Sequence, residues 1–142
     1  MDSFERDQYW MDLEQELLKG GAGCSEWCTF ISKDVYTAFT SGADLSTVVM
    51  SLACIETCLK TENFVTSKQS LSSLIEEDTF LTDEEKSSLH ELRQYRNKWV
   101  HMYDVDDTEI IENEELFVQE AEKKAYLAVK MLLTVLYLNQ YI

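Results

Sequence analysis

The chain contains no proline and only four glycines. Proline and glycine punctuate turns, and a sheet protein needs many of them. Their scarcity excludes a loop-rich or strand-rich architecture and points to a few long helices. Positive charge is also scarce: twelve Lys and Arg stand against 27 Asp and Glu, a formal net charge of −15. That balance repels phosphate backbones in general and argues against a protein that coats nucleic acid non-specifically. The longest apolar stretch, residues 125–138, is interrupted by Lys130 and is too short to span a bilayer. The opening MDSFERDQYW has neither a basic leader nor an apolar core, so no secretion signal is expected. Two histidines are too few for most histidine-built metal sites, and neither G-x-S-x-G nor H-E-x-x-H occurs.

What is present suits one all-α domain over residues 1–142. At 45% hydrophobic content, a chain of 142 residues can bury a sizeable core without staples. Helical periodicity predicts a first helix over 3–19, with Trp10, Leu13 and Leu17 on one face. The run Gly20-Gly21-Ala22-Gly23 ends it as a turn; it lacks the Gly-Lys-Ser/Thr of a phosphate-cradling loop. A second helix over 25–40 carries Trp27, Phe30, Ile31, Val35 and Ala38 as its expected core stripe and ends at Gly42. Asp44 is the expected N-cap of a third helix over 45–60. A polar, serine-rich stretch with a short helix at 71–75 follows, and Thr82-Asp83-Glu84-Glu85 is a capping box opening a helix over 83–102. Residues 104–115 hold seven acids and no base and read as a solvated loop. The last helix, 114–141, is apolar nearly all round after Tyr126, the pattern of a helix central to a core or an interface.

The four cysteines form two i,i+4 pairs, Cys24/Cys28 and Cys54/Cys58. Two antiparallel helices bearing them could hold zinc. The usual C-x2-C spacing is absent, however, and Cys24 and Cys28 fall on the apolar side with Trp27 and Ile31. Reduced, buried thiols of a cytoplasmic protein are the expectation, with no metal and no cofactor.

Two helices carry an ionisable residue where apolar ones are expected. On a wheel of ~100° per residue, Leu45, Val48, Val49, Leu52, Ile55 and Leu59 form an arc with Glu56 near its middle. In the helix over 83–102, Leu89, Leu92, Tyr95, Trp99, Val100, Met102 and the adjoining Tyr103 define a broad arc that includes Arg96. Glu56 and Arg96 are thus expected either as a buried ion pair or as the lining of a polar cavity. The same helix gathers Lys86, Arg93, Arg96 and Lys98 together with both histidines, His90 and His101.

The segment LRQYRNKWVHMY, residues 92–103, contains Arg96-Asn97-x-x-x-His101-x-Tyr103. It resembles the R-x4-6-H signature of the HEPN family, in the extended R-x4-H-x-Y form of HEPN toxins paired with nucleotidyltransferase antitoxins. The motif covers residues 96–103 only. Its late position in the penultimate helix and an acid in an earlier helix, here Glu56, match the family as well. The resemblance implies a bundle of four to five helices that dimerises with two motifs facing across a cleft. It also implies RNA cleavage without a metal, in a toxin or defence setting; some members have lost catalysis and act as binding modules.

The residue types suit that chemistry. When a 2′-hydroxyl attacks the adjacent phosphate, a near-neutral histidine can take or give a proton, and an arginine fork can stabilise the charged phosphorane. Expected roles are therefore His101 as acid–base, Arg96 as charge stabiliser, Asn97 as positioner and Glu56 as the group that holds Arg96. Arg93, Lys98 and His90 are expected substrate contacts. Tyr103 is either a packing residue or, by the resemblance, an acceptor for nucleotide modification by a partner transferase. Arg96 and His101 diverge by ~140° on a regular helix, so a homodimer is expected to bring the two groups to one RNA phosphate. The alternative is a non-catalytic helical dimer that uses the same surface to bind a protein or a nucleotide. No membrane association is expected.

Overall fold

The computed structural model describes residues 3–21, 23, 25–63, 65, 68–101, 108–138 and 140, with the side chains of residues 108 and 109 left aside. Among these there is no strand, and seven helices account for the architecture: α1 Ser3–Leu17, α2 Glu26–Ser41, α3 Asp44–Glu62, α4 Leu71–Glu77, α5 Asp83–His101, α6 Thr108–Glu112 and α7 Glu114–Leu136. The five long helices match the expected ones to within a few residues. The acidic stretch differs from expectation. It does not run as a loop throughout, because α6 occupies part of it.

Local chemistry explains most boundaries. Ser25 caps α2 by accepting from the Cys28 N–H at 3.1 Å. Gly42 ends α2 in the left-handed conformation with φ 86°, and the Ala43 N–H reaches back to the Ala38 carbonyl at 2.9 Å. The Thr82/Glu85 capping box is reciprocal, with bonds of 3.1 and 2.9 Å. Asp78 makes the α4–α5 turn by accepting from the Phe80 and Leu81 N–H groups at 2.8 and 3.0 Å. The end of α1 is held from the far end of the chain: the Gln140 amide accepts from the Lys19 and Gly20 N–H groups and donates to the Leu17 carbonyl.

α3 and α7 form the centre, packed most extensively against each other, with α2 on the far side of α3 and with α1 and α5 flanking. Buried Val129, Leu132, Leu133 and Val135 give α7 the central role its all-round apolar pattern predicts. Two expected core stripes shift. In α2 the buried line is Cys28, Val35 and Phe39, while Trp27 and Phe30 are each 75% exposed. Positions 28, 31, 35 and 39 share one face at helical spacing; 27 and 30 lie off it. In α3 the small polar residues Thr47 and Ser51 and the thiols Cys54 and Cys58 are buried with Val48, Leu52, Ile55 and Leu59. This widens the buried arc away from Glu56, which sits half-buried at its margin and not in its middle. Cys28, Cys54 and Cys58 are buried as expected; Cys24 lies outside the described residues.

One buried cation was not anticipated. Arg6, 1% exposed, donates from Nη1 to the Phe39 carbonyl at 2.8 Å and to Asp44 Oδ1 at 2.6 Å. Its guanidinium also lies over the Phe39 and Tyr126 rings, 5.0 and 5.5 Å from their centroids. Asp44 is thus the first residue of α3 and an ion-pair partner, not the expected N-cap; Ala43 holds that position without a side-chain bond.

Arg6→Met is expected to cost about 3–5 kcal/mol in urea unfolding, because it leaves the largely covered Asp44 carboxylate without its cation. A loss under 1 kcal/mol would show that the clamp carries no net stability. A second expectation concerns alkali. Burial is the leading cause that raises the pKa of Tyr9, Tyr95 and Tyr126 above the ordinary tyrosine value. The folded state therefore keeps protons that the unfolded state releases. The stability this represents is present below about pH 10 and is lost as pH rises beyond it. Thermal melts at increasing alkaline pH, followed by tyrosinate absorbance, should show unfolding and ionisation arriving together.

Candidate functional site

α5 packs on the core through Leu89, Leu92 and Tyr95 and turns its polar side outward. Four residues apart, Tyr95 and Trp99 meet as a tilted aromatic pair, and Trp99 meets Phe117 of α7 at 5.8 Å between centroids. This ladder fixes the rotation of the helix, and so fixes where its basic residues point. Tyr95 Oη and Trp99 Nε1 are both buried without a completed hydrogen bond.

The expected site residues divide into three groups. Arg96 and Asn97 belong together: the half-buried guanidinium donates from Nε and Nη2 to Asn97 Oδ1 at 3.3 and 3.1 Å. Among the described residues no carboxylate forms an ion pair with Arg96. The buried Glu56–Arg96 pair that the sequence allowed is therefore not formed, since the wider burial on α3 leaves Glu56 at the edge of the core. His90 and Arg93 form the second group with Glu76, a residue of α4 that sequence reasoning did not single out. Arg93 Nε approaches His90 Nδ1 at 3.4 Å, and His90 Nε2 lies 2.5 Å from Glu76 Oε1. An acceptor role for Nδ1 leaves Nε2 as the nitrogen that bears the proton toward the carboxylate. Lys86 of the same helix donates to the Glu76 carbonyl at 2.8 Å, which ties α4 to α5 a second time.

Lys98 stands apart. Its ammonium lies 4.8 Å from the Phe117 ring centroid and 5.6 Å from that of Trp99, on the flank of α5 next to α7. His101, exposed, is the last residue of the helix. The ammonium of Lys98 in the last turn complements the negative end of the helix dipole. Tyr103 lies outside the described residues. A signal for Glu76 did exist in the sequence, as an acid in a short amphipathic helix just before the basic one. Its partner could not be chosen without knowing how α4 folds back on α5.

Near the end of α5 and on α6 and α7 several large apolar side chains are exposed: Val100 50%, Ile111 81%, Leu116 64% and Val118 54%. No family model matches the chain, and neither a curated protein nor a solved structure does. Fold and site together define an all-helical protein with an arginine–asparagine pair and a histidine on the last turns of α5. Among the described residues, no helix is long and apolar enough to cross a membrane.

The unpaired hydroxyl beneath this face makes a specific forecast. Tyr95→Phe removes a buried oxygen that completes no hydrogen bond, so it should change unfolding free energy by less than about 0.5 kcal/mol or stabilise slightly. A loss of about 1 kcal/mol or more would reveal a partner for that hydroxyl.

Proposed function

We propose that this protein is a metal-independent endoribonuclease of the HEPN type, a toxin or defence effector that cuts RNA by 2′-hydroxyl attack. One observation carries the reading. In a chain with 27 acidic residues, Arg96 is half-buried, oriented by the neutral oxygen of Asn97 and unpaired with any described carboxylate. A structural arginine in such surroundings would be expected to find an acid. One held open by an amide keeps its charge and much of its donor fork for an anion.

In this reading Arg96 stabilises the phosphorane, Asn97 sets the plane of the guanidinium, and His101 moves the proton. Arg93 extends the positive surface along the helix for the RNA backbone, with His90 beside it as a hydrogen-bonding contact and Lys98 on the flank. Glu56, unpaired with Arg96, keeps at most an indirect place in the pocket. The divergence of Arg96 and His101 round one helix remains the reason for a dimer, in which one protomer's arginine and its partner's histidine address the same phosphate. Exposed apolar residues on α5, α6 and α7, namely Val100, Ile111, Leu116 and Val118, favour such self-association. They favour equally the second reading, a non-catalytic helical module that docks a protein there. A nucleotidyltransferase-type antitoxin acting at Tyr103 belongs to the first reading.

The test is cleavage of an end-labelled RNA pool in buffer free of magnesium and manganese, with the parent, Arg96→Ala and His101→Ala compared at equal concentration. Cleavage by the parent is expected to leave 2′,3′-cyclic phosphate ends, and each substitution should slow it by about 10²-fold or more. Folded, dimeric parent protein that cuts none of the pool would reject the nuclease and leave the docking module.

A further inference from the structure

The cysteines were expected as small core residues, and two i,i+4 pairs in sequence did not say whether their sulfurs converge. They do. Across the α2–α3 contact the Sγ atoms of Cys28, Cys54 and Cys58 all lie within 4.8 Å of one another. The Cys28 and Cys58 sulfurs are 2.9 Å apart, inside the van der Waals separation of two sulfur atoms. All three residues are at most 6% exposed. Packing alone asks for small apolar volume at these positions and gives no reason for three sulfurs to share one point. A Cys28–Cys58 disulfide would account for one close pair; Cys54, whose thiol donates to the Cys28 carbonyl at 3.5 Å, still keeps its sulfur within 4.8 Å of both others.

A tetrahedral ion with bonds of about 2.3 Å spaces its sulfur ligands about 3.8 Å apart, between the shortest separation here and the outer limit. On the open side of the cluster a small cavity is lined by Ser25, Cys28, Cys58, Thr61 and Glu62. Glu62 is half-buried on that wall, and its carboxylate is not among the ligand atoms that converge. The cluster therefore has three soft ligands beside a small cavity with room for a fourth, the donor set of a thiophilic divalent ion.

We propose that Cys28, Cys54 and Cys58 bind one zinc-class divalent cation, with a water from the adjoining cavity in the fourth position. On binding, each thiol gives its proton to solvent, and the three thiolates with the ion leave a single negative charge on the sulfur cluster. The ion pins the first turn of α2 to the C-terminal half of α3. Its role is structural and independent of the chemistry proposed for α5. Cys24 stands four residues before Cys28 in the sequence, and the proposal does not rest on it.

The test uses the full chain, purified reduced and without chelator. Elemental analysis should find about one zinc per chain, and anaerobic cobalt(II) titration should produce a sulfur-to-cobalt charge-transfer band that saturates at the same stoichiometry. Cys54→Ala and Cys58→Ala, checked for helicity by circular dichroism, should lose most of the bound metal and most of the band. Should these variants fail to fold, the cobalt titration of the parent alone decides. A folded, reduced parent that takes up neither zinc nor cobalt stoichiometrically would overturn the proposal. So would metal content unchanged in the two folded variants, or a Cys28–Cys58 disulfide found by mass spectrometry in the native protein.

Discussion

The Arg6 guanidinium joins three helices at one buried point. It donates to the carbonyl of Phe39, near the negative end of α2, and to the carboxylate of Asp44 in the first turn of α3. A charge sealed from water is tolerable only when it is well paired; Arg6 has both bonds on Nη1, and its buried Nε finds no partner. Arg6 therefore constrains the α2–α3 corner to one geometry and sets α1 against it. The adjoining rings of Phe39 and Tyr126, 5.0 Å apart and both facing the guanidinium, extend the same constraint to α7. With α1, α2, α3 and α7 placed, the remaining surface of the core is the one that α4 and α5 cover.

That order of dependence explains why α5 can carry so much polar chemistry. It contributes only Leu89, Leu92 and Tyr95 to the fully buried core and is located by the aromatic contacts of Trp99 with Tyr95 and Phe117. Most of its circumference is left for charge, in a protein whose remaining surface is strongly acidic. An isolated basic strip on such a background attracts an anion locally while the rest of the molecule repels it, which favours a selective contact over general adhesion. The proposed nuclease and the proposed docking module differ in what happens at the strip and share the physics that exposes it.

The α2–α3 contact carries a different kind of polar content. Thr47 and Ser51, with the thiols of Cys54 and Cys58, occupy positions on α3 where larger apolar residues would hold the helices apart. The Cys54 thiol donates to the Cys28 carbonyl at 3.5 Å, and the donors of Cys54 and Cys58 lower the pKa of Cys28, while Cys58 is pushed up by the same exchange. The small size of the residues on the facing stripe lets the two helices approach closely enough for the thiols to hydrogen-bond, without dictating that the small residues be cysteines.

Local signals in the chain determined the helices and most of their ends. The lack of proline, the capping box at Thr82, Gly42 in the left-handed region and the uniformly apolar second half of α7 each act within a few residues, so periodicity and composition reveal them. The run Arg96-Asn97-x-x-x-His101 and its concentration of basic groups were equally legible, because one helix carries them all. Only the tertiary structure decided which side of α2 faces inward, since Trp27 and Phe30 are as apolar as the residues that are buried. It alone turned Arg6 into a core residue, moved Glu56 to the margin of α3 and chose Glu76 as the partner of His90. The convergence of three sulfurs from two helices was likewise a tertiary result. In each case the outcome depends on a group more than a turn away in the chain: burial and pairing are properties of helix packing, and a helix wheel drawn alone has no partner to pack against.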